Sequence, residues 1–262
     1  MADESDSVNL SSDDGQPRSR SSRKGKKEKK QRPFWQELPL LIGIAAIIAA
    51  VVVTFIGRPY VIPSQSMEPT LHGRNGTGDR IYVQKLSYYW SDPQPGDVVV
   101  FVGPTDSWNQ HYRSIRSENT VVRGVQNFFS IFGLVPPDEN DLVKRVIAVG
   151  GQTVQCCDDQ GRVIVDGKPL DEPYAQYLYP YVPGLPYGRQ NPQGREFGPV
   201  TVPEGNLWVM GDNRNESADS RAHMDDELDG TVPIDDVRGK AVVKIWPLSH
   251  IGLIRSQNPQ TN

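Results

Sequence analysis

The sequence predicts a mainly β protein, an antiparallel β-sheet domain preceded by a single N-terminal transmembrane helix. Three observations predict it. One apolar run, Leu38 to Ile56, carries no charged residue over 19 positions. Everything after it breaks into short β-branched stretches punctuated by Gly, Pro, Asn and Asp. No fixed-period repeat is visible that would redirect the chain into a solenoid. The stretches are Arg80–Leu86, Asp97–Val102, Leu142–Val149, Gln152–Gln155, Arg162–Val165, Val200–Val202, Asn206–Met210 and Gly239–Trp246.

At 262 residues with 37% hydrophobic content, the chain has material for one well-filled domain plus appendages. Its formal net charge of −4 hides a split, because residues 1–32 hold nine basic and six acidic residues and almost nothing apolar. Such a segment cannot bury enough surface to offset its ordering entropy, so residues 1–36 read as a disordered basic tail. The cluster from Arg18 to Arg32 has the charge of a nucleic-acid arm, but the apolar run follows at once, which favours a membrane-flanking role. As a helix, that run reaches most of the way across a ~30 Å hydrocarbon core. A cleaved signal peptide is the alternative. The run starts far from the N-terminus, exceeds the usual core length, and shows no evident small-x-small cut site before Arg58. Residues 37–57 are therefore expected to be a retained anchor in a cell membrane. With nine positive charges before it and only Arg58 close after it, the charge bias keeps the N-terminus cytoplasmic and puts residues 58–256 outside. Residues 257–262 read as a C-terminal tail.

Along the domain, Asp166-Gly167 after Val163-Ile164-Val165 predicts a tight hairpin turn. Residues 105–141 form an insertion in which Val121 to Leu134 suggest a short helix with an aromatic face, stopped by Pro136-Pro137. A packed surface element and a membrane-dipping one are both open. Pro173 to Pro199, rich in Pro, Tyr and Gly, predicts an extended loop on the sheet. Cys156 and Cys157 are adjacent, can form only a strained ring disulfide, and specify no framework. His72, His111, His223 and His250 are scattered without metal-site spacing, so no metal and no cofactor is expected.

Three segments carry chemistry. The first, Pro63-Ser64-Gln65-Ser66-Met67-Glu68-Pro69-Thr70-Leu71, holds two serines in a loop stiffened by prolines. In the second, Leu142 to Val149, Lys144 and Arg145 interrupt a run otherwise fit for a buried strand, and alternation puts Lys144 on a face with Leu142, Val146 and Ala148. A lysine desolvated there loses basicity and becomes a usable base, which a serine hydroxyl needs before it can attack. The bland alternative is a lysine that snorkels to the sheet edge. Lys85, 19 residues from Ser66 on an apolar-patterned strand, is not excluded as the base by spacing. The third segment, Gly211-Asp212-Asn213 to Arg221, is a dense polar loop after Leu207-Trp208-Val209-Met210.

Together these segments, with Gly78-Asp79-Arg80-Ile81 and Gly96-Asp97-Val98-Val99, resemble type I signal peptidases, membrane-bound serine proteases of the Ser-Lys dyad class, over most of residues 58–254. The resemblance implies Ser66 as nucleophile and Lys144 as general base, in preference to Lys85. It implies that Ser64 completes an oxyanion hole with the Ser66 N–H, and that Ser217 hydrogen-bonds and orients the lysine. Asp212, Asp219, Arg221 and Arg145 then brace the site. Substrate backbone is implied to add alongside strands near Ser64 and Val83, with small side chains one and three residues before the cut. The implied partners are preprotein signal peptides, membrane lipid and the protein export machinery, with no nucleic acid. Val149-Gly150-Gly151-Gln152 departs from the family's Pro-Gly-Asp turn. Two other function classes remain at this point: a histidine-based serine protease using His72 or His223, and a membrane-tethered β domain that binds without catalysis.

Overall fold

A computed structural model describes residues 34–74, 78–110, 114, 116–131, 140–188, 191 and 193–261. The chain divides into two compact units, Met1–Leu41 and Ile42–Asn262. In the first, described from Phe34, the backbone is helical. This helix, α1 (Phe34–Val51), continues as a π-helical turn through Ile56. Glu37–Ile56 is one segment long and apolar enough to cross a membrane.

The second unit is mainly antiparallel β. Its strands are β1 (Gly57–Val61), β2 (Arg80–Gln84), β3 (Val98–Val102), β4 (Asp141–Val149), β5 (Thr153–Cys156), β6 (Val163–Val165), β7 (Lys168–Pro169), β8 (Phe197–Thr201), β9 (Asn206–Met210), β10 (Val232–Pro233), β11 (Val237–Trp246) and β12 (Gly252–Leu253). The larger sheet runs β1-β2-β11-β3-β4-β9-β10, with β12 on β11, and the smaller runs β7-β6-β5-β8. The eight expected stretches all appear. Missing from the sequence reading are β1, whose Arg58-Pro59 reads as juxtamembrane chain, and three two-residue strands too short to show a period.

Packing follows from alternation. Val99, Phe101, Val146, Leu207 and Val209 form one buried cluster with Trp108. On the other face of β3, Val98 and Val100 join Ile81, Val83 and Ala241. The smaller sheet lays Val154, Val163, Val165 and Phe197 against Ile147, Ala148, Trp208 and Met210. Asp166 and Gly167 both take positive φ in the two-residue turn between β6 and β7, as the Asp-Gly pair predicts. Cys156 and Cys157 are bonded to each other, so neither ties distant segments together.

The insertion contains a short helix, α2 (Asp106–Asn109), and a longer one, α3 (Thr120–Ile131). Its Pro136-Pro137 stop lies outside the described residues. Val121, Val125 and Phe128 of α3 are exposed. The C-terminal stretch is not a free tail through residue 261. Gln260 donates to the Ile147 carbonyl at 2.9 Å and the Asp171 N–H to the Pro259 carbonyl at 3.0 Å, bonds that a polar, proline-bearing end does not announce.

Candidate active site

Ser66 sits in the middle of a single 3-10 turn, Gln65–Met67, which Ser64 enters in an extended conformation. The turn is held from below, because Ile62, Met67 and Leu71 are all buried in the cluster that contains Ile81, Val83 and Val98. From the side, the Asn213 N–H donates to the Ser66 carbonyl at 3.1 Å. This contact joins the serine loop to the Gly-Asp-Asn loop without using either functional side chain.

Lys144, on β4 opposite Val99, is 4% exposed, and Ser66 is 6% exposed. Lys144 Nζ and Ser66 Oγ are hydrogen-bonded at 2.7 Å. Ser64 Oγ stands 3.2 Å from Ser66 Oγ. Burial strips water from the ammonium form and pushes the Lys144 pKa down to about 8; the nearby Asp219 opposes this, Arg221 adds to it, and Asp212 opposes it. At mildly alkaline pH the amine beside Ser66 is therefore largely neutral, with a lone pair able to take the hydroxyl proton.

Around this pair, ion pairs replace apolar packing. Arg145 grips Asp212 with Nε on Oδ1 at 2.8 Å and Nη2 on Oδ2 at 2.7 Å, both side chains being buried. The same guanidinium donates to the Gly96 carbonyl and lies 3.9 Å over the Tyr174 ring. Asp219 accepts from Arg221 Nε and Nη2 and from the Gly211 N–H, all within 2.9 Å. Burial alone would raise the Asp219 carboxyl; the Arg221 charge and these hydrogen bonds outweigh it and hold the group below the usual carboxylate range. Ser217 is buried in the same loop, close enough to Asp219 to help lower it. Among the described residues its hydroxyl has no hydrogen-bond partner of good geometry, so the bond to Lys144 that the resemblance implies is not formed here. The Ser217 oxygen packs against Gly211 instead.

That glycine has no room to grow. A Cβ on Gly211 would lie 2.3 Å from Ser217 Oγ and 2.4 Å from the Ser66 carbonyl oxygen, a backbone atom that cannot step aside cheaply. Gly211→Ala is expected to shift the Ser66 turn and lower kcat/KM on a peptide substrate by about 100-fold, the cost of displacing an active-site segment by about an ångström. A variant with wild-type kcat/KM would show that the loop tolerates the displacement.

Two expectations change, those for Val83 and for the histidines, and Lys85, left open by spacing alone, is located as well. Val83 is not beside an open edge: β2 pairs with β1 through Arg58↔Val83 and with β11 through Ala241↔Val83, and Val83 is 1% exposed. The unrecognised β1 occupies the position a substrate strand would need. Among the described residues, the free edge on this side of the sheet belongs to β1 itself. Lys85 is half-buried and donates to the Thr54 carbonyl at 2.9 Å, away from the serine turn. The histidines are not all scattered. His72 and His250 converge on Asp79, because β2 and β11 pair from Arg80↔Trp246 onward and bring the residues before one strand beside those after the other. His223, by contrast, bonds Ser107 Oγ at 3.0 Å and stacks on Trp108. The sequence reading missed three residues: Thr70, whose hydroxyl donates to Asp212; Asn213, whose N–H donates to the Ser66 carbonyl; and Tyr174, which lies under Arg145. The first two lie inside the quoted motifs, and Tyr174 had no signal.

The chain is similar to known proteins over nearly its whole described length. Residues 35–246 match the family described as Signal peptidase, peptidase S26. Signal peptidase I of Mycobacterium tuberculosis is 55% identical over 244 residues, which cover 88% of this chain and 79% of that protein. The probable signal peptidase I of Mycobacterium leprae is 54% identical, with 90% and 84% covered. A probable signal peptidase I-2 of Synechocystis is 34% identical, with 87% and 81% covered.

Proposed function

The chain belongs to the peptidase S26 family of signal peptidases and is a serine peptidase, and from that premise we propose that it removes signal peptides from exported preproteins with a Ser66–Lys144 dyad, held at the outer face of a membrane by the helix Glu37–Ile56. The 2.7 Å contact between a buried amine and a buried hydroxyl carries this reading. Neutral Lys144 takes the Ser66 proton as Oγ attacks the scissile carbonyl. The Ser66 N–H and the Ser64 hydroxyl stabilise the resulting oxyanion. As the C–N bond breaks, the Lys144 ammonium returns its proton to the leaving amine, leaving an ester on Ser66. Lys144 then deprotonates a water that attacks the ester, and the proton passes back to Ser66 Oγ as the acid product departs.

The supporting residues divide by contact. Arg145, Asp212, Asp219 and Arg221 hold the walls of the site, and Ser217 is assigned to orienting the Lys144 amine when substrate is bound. The substrate backbone adds to β1, which leads directly into Ser64 and Ser66, with small residues one and three positions before the cut. Residues 1–36 are assigned to the cytoplasm, 37–57 to the anchor and 58–256 to the outer side. Ser66 lies only ten residues beyond Ile56, so the nucleophile stays near the lipid surface where a signal peptide ends. Exposed Val121, Val125 and Phe128 suit α3 to lipid contact, and the export machinery delivers the substrates.

Neither competing reading finds a comparable observation. Ser66 Oγ is engaged by Lys144 and Ser64, while His223 is occupied at Ser107. A pH profile of preprotein cleavage tests the dyad. kcat/KM should fall about tenfold per unit as pH drops below about 8, since the lowered amine must lose its proton to act. Lys85→Ala should keep the profile and Lys144→Ala should abolish turnover. Loss on Lys85→Ala with retention on Lys144→Ala would reverse the assignment. Covalent labelling of Ser66 by an acylating peptide mimic separates catalysis from mere binding.

A further inference from the structure

We propose that His72, Asp79 and His250 form a binding site for a divalent transition ion of the zinc class, which ties the nucleophile loop to the turn that follows β11. Each of the three offers one ligand atom, and these atoms lie within 4.8 Å of one another. Two of the ligands are preset by their backbone. The His72 N–H donates to Asp79 Oδ2 at 2.9 Å, and the Asp79 N–H donates to the His72 carbonyl at 2.9 Å, a reciprocal pair that fixes both residues. The third comes from the 3-10 turn Leu248–His250, with His250 Nδ1 2.8 Å from Asp79 Oδ1.

The donor chemistry selects the ion. Two imidazoles and one carboxylate suit zinc-class ions better than magnesium or calcium, which take oxygen ligands. Zinc requires ligand atoms about 2.0–2.2 Å from the metal, hence roughly 3.3 Å apart, in a tetrahedral set. His72 Nδ1 is 3.7 Å from Asp79 Oδ2 and the ligand atoms spread over up to 4.8 Å, so binding draws the 53% exposed His72 ring inward. The Asp79 side chain, in contrast, is 1% exposed and is held in place by the His72 N–H. The three line a cavity of about 210 Å³ together with Glu68 and Arg74, which leaves the fourth position to water.

The location gives the site its consequence. Gln65 and Glu68, on either side of Ser66 and Met67, line the same cavity. An ion here cross-links the loop that presents the nucleophile to a turn 178 residues further along the chain, without touching the reacting atoms. It therefore stabilises and restrains the loop rather than taking part in the chemistry. The inference stands apart from the dyad, since it concerns binding and would hold for an inactive Ser66→Ala protein.

The test uses the full-length protein in detergent, stripped of metal and free of any polyhistidine tag. Zinc titrated against a chromophoric chelator should show ~1 equivalent bound, and His72→Gln or His250→Gln should weaken it by at least about tenfold. His223→Gln, outside the cluster, should bind as wild type. At a hundredfold excess over Kd, zinc should raise Tm of the wild type by about 5 °C or more, and should leave the His72→Gln/His250→Gln double variant unmoved. Equal metal-free Tm values establish that the variants are folded. Binding that is absent in the wild type, or that persists unweakened in the double variant, overturns the site and leaves an Asp–His hydrogen-bonded pair.

Discussion

Lys144→Met is expected to lower kcat/KM on a preprotein by about 10⁴-fold and, at neutral pH, to yield a more stable protein. Both effects come from one cause. The lysine is buried within hydrogen-bond distance of Ser66, and desolvation brings its pKa from 10.5 down to about 8. In the unfolded chain the amine binds its proton up to the higher value; in the folded protein it releases it near the lower one. Between the two the unfolded state holds more protons, so wild-type stability rises with pH through this window, and the penalty is fully present below it. A drop from 10.5 to about 8 corresponds to about 3 kcal/mol. Methionine fills much of the same volume without a charge, so the penalty and the pH dependence should both disappear. Urea unfolding at pH 7 and pH 10 measures this directly. A variant less stable than wild type at pH 7 would mean that the amine is solvated or compensated, and the account of how it becomes a base would fall with it.

Asp212→Ala is expected to cost about 3–5 kcal/mol of stability, the penalty of leaving one half of a buried ion pair without its partner. Arg145 would keep its place over Tyr174 and its bond to the Gly96 carbonyl, but its charge would have lost both carboxylate oxygens. Thr70 would lose its acceptor in the same step, loosening the segment that follows Ser66. In a domain of this size the effect should appear as a Tm lower by about 10 °C. The double replacement Arg145→Met/Asp212→Leu should recover most of it, because an apolar pair of similar volume leaves no charge stranded. A loss below about 1 kcal/mol for the single variant would show that water or another group screens Arg145. Recovery in the double variant would also separate stability from activity, since the walls of the site would then be apolar.

Much of this architecture could be read along the chain because it is written locally. Alternating β-branched residues broken by Gly, Pro and Asp marked eight strands, and Asp166-Gly167 marked a hairpin turn that requires two positive φ angles. Lys144 stood out because a charge interrupts the apolar run of β4, and Leu38–Ile56 because no charge interrupts it at all. Ser64, Ser66 and the Gly-Asp-Asn loop were visible as motifs. Tyr174 was not, since a tyrosine in a proline-rich loop carries no sign of the guanidinium it will cover.

From its residues alone, this chain declares an apolar helix followed by an antiparallel sheet domain, and two polar loops flanking a strand with a misplaced lysine. Closure of the sheet settles the rest. Pairing of β1 to β2 removes Val83 from any open edge, β2 against β11 brings His72 and His250 to one carboxylate, and burial of β4 sets Lys144 rather than Lys85 beside the serine hydroxyl. Side-chain period and turn chemistry act over a few residues, so they can be read in order. Desolvation and contact between residues 78 or 178 positions apart exist only after hydrogen-bonded strands have fixed which segments share a neighbourhood.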